Sequence, residues 1–168
     1  MVKGPNVMMG YFGDEEATKE TIEDGWLHTG DLCSIDKDGY IYIYGRKKSV
    51  IVLKNGKNIF PEEMENLVNK IEGVQESMIY SILNKDAKDE NDIRIAARVV
   101  YDKDIMKEMY NIEDEKEIYE IINNKIKEIN KIMPLYKSIR RLTITQEPFI
   151  KTTTGKIKRQ ENLKFLNK

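Results

Sequence analysis

Cysteine and histidine are almost missing from these 168 residues: Cys33 and His28 are the only ones. A lone thiol closes no internal disulfide, so nothing asks for an oxidising compartment. No zinc cluster can be assembled from one of each. A Ser-His-Asp arrangement would have to use His28, and no Gly-x-Ser-x-Gly elbow supplies its serine. His28 therefore reads as a structural side chain. An excess of one charge is absent too: 28 Lys and Arg face 29 Asp and Glu, for a net charge of −1. A dedicated nucleic-acid binder needs a clear basic excess for its phosphate contacts. No apolar run approaches the roughly 20 residues of a bilayer span, and no signal-peptide pattern opens the chain. Internal repeats and low-complexity tracts are lacking as well. What remains is a chain with 40% hydrophobic residues, enough for a core in one or two domains. A reduced, cytoplasmic protein is expected.

The first 45 residues are rich in turn formers. Asp36-Lys37-Asp38-Gly39 reads as a tight turn before Tyr40-Ile41-Tyr42-Ile43-Tyr44, whose residue types favour a strand. The spacing predicts a hairpin with its second strand at 40–44. Arg46-Lys47-Lys48 is a basic junction, and the β-branched run Ser49–Leu53 follows. The Asn55-Gly56 pair predicts a hairpin turn with both central residues at positive φ. Pro61 suits a first helical position, and Glu62 and Glu63 favour the positive end of the helix dipole. Met64, Leu67, Val68 and Ile71 then form an apolar stripe that Gly73 closes. Strands are expected at 76–83 and 92–101, with a hairpin loop at 84–91. A second helix is expected from about Glu115 to Met133, ended by Pro134, and a strand at 139–145. The tail, 151–168, carries six Lys or Arg against Glu161 alone. Residues 49–150 thus give a small α+β domain of helices packed on a short mixed sheet, with 46–48 as the natural hinge.

Few stretches carry chemistry by residue type. Thr152-Thr153-Thr154-Gly155-Lys156 fails as a Walker A loop, since Ile150 stands at the first glycine and Ile157 at the magnesium-binding Ser/Thr. It leaves Lys156 as either a solvated lysine or a mobile cation able to reach a phosphate or carboxylate. Ser34–Gly45 partly mimics a calcium loop, but Ser34 and Gly45 occupy the first and last ligand positions, so it reads as a turn. Asp31, after Gly30, is an ordinary turn aspartate or an acceptor for a vicinal diol. Arg46 pairs with an anion or caps a strand end.

Taken in order, these stretches resemble the adenylate-forming (AMP-dependent) synthetase and ligase superfamily, above all the acyl-CoA synthetases. Gly4–Phe12 resembles the stretch before that family's ribose-binding motif, and Asp24-Gly25-Trp26-Leu27-His28-Thr29-Gly30-Asp31 resembles the motif itself. Gly45–Lys48 with Gly56–Glu65 resembles the hinge and the loop that begins the C-terminal domain. Thr152–Arg159 resembles the motif of the C-terminal catalytic lysine. The wording around Asn55–Asn58 and Leu135–Lys158 is most like the long-chain fatty-acid branch. The likeness covers nearly the whole chain, whereas the family's phosphate loop, adenine-binding segment and acyl pocket lie upstream of it.

The resemblance implies a β-rich remnant of the large nucleotide-binding domain at 1–45, a hinge at 46–48, and a mobile C-terminal α+β domain at 49–168. It implies an acid–thiol ligase using ATP, Mg2+ and coenzyme A, with this piece inactive alone. Lys156 would be catalytic, Asp31 and Arg46 nucleotide-binding, Lys48 the hinge residue, and the loop at Gly56 the face turned to the thiol. The implied partners are the missing large domain, with fatty acid and coenzyme A as substrates and peripheral membrane association open to the complete enzyme. Two other readings stand beside it. One is a non-catalytic or regulatory relic that binds a separate large domain or a carrier protein. The other is an adenylating ligase for a different carboxylate.

Overall fold

The computed structural model describes residues 1–84 and 92–166. The chain divides into two compact units, Met1–Ser49 and Val50–Lys168.

The first unit holds helix α1 (Glu15–Thr21) and two antiparallel hairpins, β1 (Ile22–Glu23) with β2 (Trp26–Leu27) and β3 (Asp31–Ile35) with β4 (Ile41–Arg46). Asp14 caps α1, its carboxylate accepting from the Ala17 N–H at 2.9 Å. Asp36 builds the turn between β3 and β4, accepting from the N–H groups of Asp38 and Tyr40, and Tyr42 donates to its other oxygen. These bonds, that from Tyr40 foremost, hold its carboxyl below the usual range. The 40–44 strand is therefore where its residue types place it. No residue of this unit is buried. Along β4, Ile41 and Ile43 are 62% and 69% exposed on one side, and Tyr42 is 52% exposed on the other.

The second unit is built on a three-stranded mixed sheet. Strand β7 (Val74–Leu83) pairs antiparallel with β8 (Ile93–Tyr101), and β8 pairs parallel with β9 (Ile139–Thr145). The expected 84–91 loop falls mostly outside the described residues, although the Asn84 N–H still bonds the Asp92 carbonyl. Ahead of the sheet come the short hairpin β5 (Ile51–Val52) and β6 (Asn58–Ile59) and then helix α2 (Pro61–Val68). Helices α3 (Lys103–Tyr110) and α4 (Glu115–Ile132) join β8 to β9, and α5 (Arg159–Leu166) ends the described chain. The α+β class and mixed sheet expected from the sequence are what the fold contains.

Strand alternation divides the core in two. On one face Ile79, Ile95, Ala97 and Val99 pack with Met64 and Val68 of α2, Met106 of α3, and Ile118, Ile122 and Ile126 of α4. On the other, Met78, Tyr80, Ala96 and Val100 pack with Phe149, Ile157 and Leu163. The basic tail is thus no solvated appendage: three apolar residues in and beside it seal the second face of the sheet.

Other local differences have clear causes. Helix α2 stops at Val68, short of Gly73, because the chain tightens there: the Lys70 and Ile71 N–H groups bond the carbonyls three residues back, Leu67 and Val68. Asn55-Gly56 does not place both residues at positive φ; only Gly56 does, at +75°. The Gly56 N–H bonds the Leu53 carbonyl while the Asn55 side chain accepts from the Lys57 N–H, so the turn has three residues. The two-residue geometry belongs instead to Asp24-Gly25, with φ of +49° and +77°. Among the described residues, no helix is long and apolar enough to cross a membrane.

Replacing Ile122, fully buried between helix and sheet, with alanine should cost about 2–5 kcal/mol, read as a lower urea midpoint. Asp102 caps α3 through the N–H groups of Asp104 and Ile105 and accepts from Gln75, and these bonds lower its pKa from 3.8, that from Ile105 most. A carboxyl lowered on folding stabilises above its unfolded pKa and loses that contribution as pH falls through its folded value. Asp102→Ala should therefore melt below the wild type at pH 7, with the gap narrowing below pH 3.8.

Candidate functional site

Asp31 and Arg46 sit opposite each other in the β3–β4 ladder, so their side chains share one face. Arg46 Nε lies 3.1 Å from Asp31 Oδ1, and Arg46 Nη1 donates to the Thr29 carbonyl at 2.5 Å. The guanidinium is thus braced at two points, and it fixes the partly exposed carboxylate in turn. A carboxylate offers about four acceptor positions, so Asp31 keeps capacity for a pair of vicinal hydroxyls beside a fixed positive charge. A ribose fits that donor–acceptor set. The anion that Arg46 pairs with in the structure is Asp31.

His28 lies 3.4 Å from Glu23, and Cys33 is exposed. Lys48 stands exposed in a single 3₁₀ turn, Lys47–Ser49, at the junction of the two units.

In the second unit, Lys156 occupies a closed hairpin rather than a loose loop. Lys151 and Ile157 form a bridge. The Thr152 N–H donates to the Lys156 carbonyl at 2.8 Å, and the Gly155 N–H to the Thr152 carbonyl at 2.9 Å. The Lys156 N–H donates to the Thr152 hydroxyl at 3.1 Å. Gly155 takes φ +78°, which a side chain would strain. The threonines and glycine that invited a phosphate-loop reading are there to close this turn. Its base is gripped by Asn162, whose amide accepts from the Ile150 N–H and donates to the Ile150 carbonyl. Glu76 accepts from the Phe149 N–H and pairs with Lys151.

Charge pairing separates Lys156 from its neighbours. Lys151 pairs with Glu76, Lys158 with Glu161, and Arg159 with Glu65 and Glu62. Lys156 is exposed, and among the described residues its ammonium has no ion-pair partner. At Gly56, a Cβ would meet nothing within 4 Å inside this chain. The positive φ, rather than crowding within the unit, is what requires glycine there.

No three His, Cys, Asp or Glu side chains converge as a metal site would need, among the described residues. The magnesium implied by the resemblance has no ligand set in those residues. Of the residues that hold the lysine hairpin, Glu65 and Arg159 end the Gly56–Glu65 and Thr152–Arg159 stretches without having been singled out there, and Glu76 and Asn162 lie outside every motif. The one hint is Glu65 itself, an acid in line with buried Pro61, Met64 and Val68 of α2.

No protein-family model matches the chain. A long-chain-fatty-acid–CoA ligase of Salmonella typhimurium is 51% identical over 75 residues, which are 45% of this chain and 13% of that protein. A 2-succinylbenzoate–CoA ligase of Oceanobacillus iheyensis is 41% identical over 86 residues, 51% of this chain and 18% of that protein. Among solved structures, the O-succinylbenzoate coenzyme A synthetase of Bacillus subtilis in complex with AMP matches 95% of this chain with 28% of its own, at TM-score 0.68 and 26% identity. An amide bond synthetase of Marinactinospora thermotolerans shares the fold at TM-score 0.69 and 19% identity, over 97% of this chain and 30% of its own. The chain therefore spans under a third of the length of each. The relatives named are CoA ligases, and the chain is similar to the C-terminal part of an AMP-dependent, adenylate-forming synthetase.

Proposed function

We propose that this chain works as the mobile C-terminal part of an ATP-dependent acyl-CoA synthetase acting on fatty acids. In the first half-reaction a substrate carboxylate oxygen attacks the α-phosphorus of ATP. The bond from that phosphorus to the pyrophosphate oxygen breaks, giving acyl-adenylate and pyrophosphate. In the second, the thiol sulfur of coenzyme A attacks the acyl carbonyl, losing its proton, and AMP leaves. The observation that carries the reading is the Lys156 ammonium in a closed hairpin, without an ion-pair partner among the described residues while Lys151, Lys158 and Arg159 beside it are each paired. A cation kept free and accessible suits the negative charge that grows on phosphoryl oxygens, where fixed positive charge stabilises the transition state selectively.

Asp31 would receive the two ribose hydroxyls, and Arg46 would hold that carboxylate in place beside the nucleotide. Because the Lys156 turn is closed, the lysine would travel with its whole unit. A swing at Lys48, between the units, would exchange Lys156 for the Gly56 hairpin and its thiol path, a gating mechanism in which one site serves two reactions. The bare apolar faces of β4 support a large domain outside this chain as the surface they pack on. Fatty acid as the carboxylate rests on the long-chain ligase match. The 2-succinylbenzoate ligase matches favour an aromatic acid as the second reading, and a substrate panel on the complete enzyme separates the two.

In the complete enzyme, Lys156→Ala should slow acyl-adenylate formation by about 10²–10³-fold, measured as ATP–pyrophosphate exchange. Thioester formation from supplied acyl-adenylate should persist; equal loss of both half-reactions would remove the lysine's assignment. The chain by itself should turn over no ATP with fatty acid and coenzyme A. Measured turnover by this piece would refute that, and tight binding to a separate large domain without restored ligation would favour the relic reading.

A further inference from the structure

We propose that Glu65 and Arg159 are positioning residues for Lys156, forming a latch around the free edge of the sheet that sets where the lysine hairpin stands. The inference rests on the reading of Lys156 just given. Strand β7 is an edge strand, paired only with β8. At Ile79 its outward backbone groups are taken by side chains: the N–H donates to Glu65 Oε1 at 2.7 Å, and the carbonyl accepts from Arg159 Nη1 at 3.0 Å. The two side chains then meet, Arg159 Nη2 lying 2.6 Å from Glu65 Oε2, with Glu62 Oε1 at 3.6 Å.

Glu65 belongs to α2, on the helix-covered face, and Arg159 opens α5, on the face sealed by the tail. The pair therefore joins the two faces around the edge, across 94 residues of sequence. Arg159 stands three residues after Lys156. Between them, Ile157 packs on the second-face core, and the Lys158 N–H bonds the Ile150 carbonyl. The path from latch to lysine thus has no slack link. Glu65 is 8% exposed, and burial raises its pKa against the opposing pull of Arg159. Removing Arg159 alone would leave the buried Glu65 carboxylate without its cation, and the planar guanidinium fork meets both Glu65 and Ile79 at once, as a lysine ammonium cannot.

The test uses the complete enzyme with Glu65→Gln/Arg159→Met, in which the introduced amide oxygen still accepts from the Ile79 N–H and the Glu65 charge leaves together with that of Arg159. Arg159→Lys is the conservative variant, and Lys156→Ala the reference. Misplacing a reacting group by about 1 Å costs on the order of 10²-fold. The double variant should therefore slow adenylation by about 10–100-fold, through kcat rather than KM for ATP, and leave the thioester half-reaction within about twofold. Arg159→Lys should recover part of the loss at an unchanged melting temperature. Adenylation at the wild-type rate in the double variant, or equal loss in both half-reactions, overturns the latch while a slow Lys156→Ala enzyme keeps the functional reading intact. A Lys156→Ala enzyme that adenylates normally removes that reading, and the latch's task with it.

Discussion

A three-stranded sheet in water has two faces to cover, and the second unit depends on covering both. Helices α2, α3 and α4 close one face. The other is closed by Phe149, Ile157 and Leu163, apolar residues set in the basic segment around Lys156. The lysine hairpin is therefore part of the core's closure. Its position is fixed by the same burial that keeps Met78 and Val100 dry.

Two kinds of polar contact refine that position. Asn162 stands in for a neighbouring strand by bonding both backbone groups of Ile150, and Glu65 with Arg159 does the same for Ile79 at the sheet edge. Unpaired backbone groups at an edge invite pairing with other chains; here they are satisfied by side chains that also tie down the hairpin. Satisfying the backbone and orienting Lys156 are one arrangement.

The first unit is organised in the opposite way. It has hydrogen-bonded hairpins and a cross-strand Asp31–Arg46 pair, yet no buried residue. Local turn chemistry shapes it: Asp36 at one hairpin and Asp24-Gly25 at the other. The apolar side chains of β4 stay exposed.

Much of this was legible in the residues. Asp36 before the 40–44 strand, Pro61 with two following glutamates, the isoleucine spacing of α4 and Pro134 at its end each act over a single turn or a few residues. Local sterics and dipoles decide such features, so the sequence suffices for them. Asp31, Arg46 and Lys156 differ: residue type left each with an ordinary reading, and only the resemblance in short motifs singled them out. Helices α1, α3 and α5 were not read from the sequence: none opens with the proline that marks α2, α1 buries nothing, and α3 buries only Met106. The three-residue turn at Gly56 escaped because Asn55 bonds Lys57 instead of taking positive φ. Which glutamates meet Lys151 and Arg159 was decided by tertiary structure alone. Such pairings depend on which distant segments the sheet brings to one edge, and no local propensity encodes that.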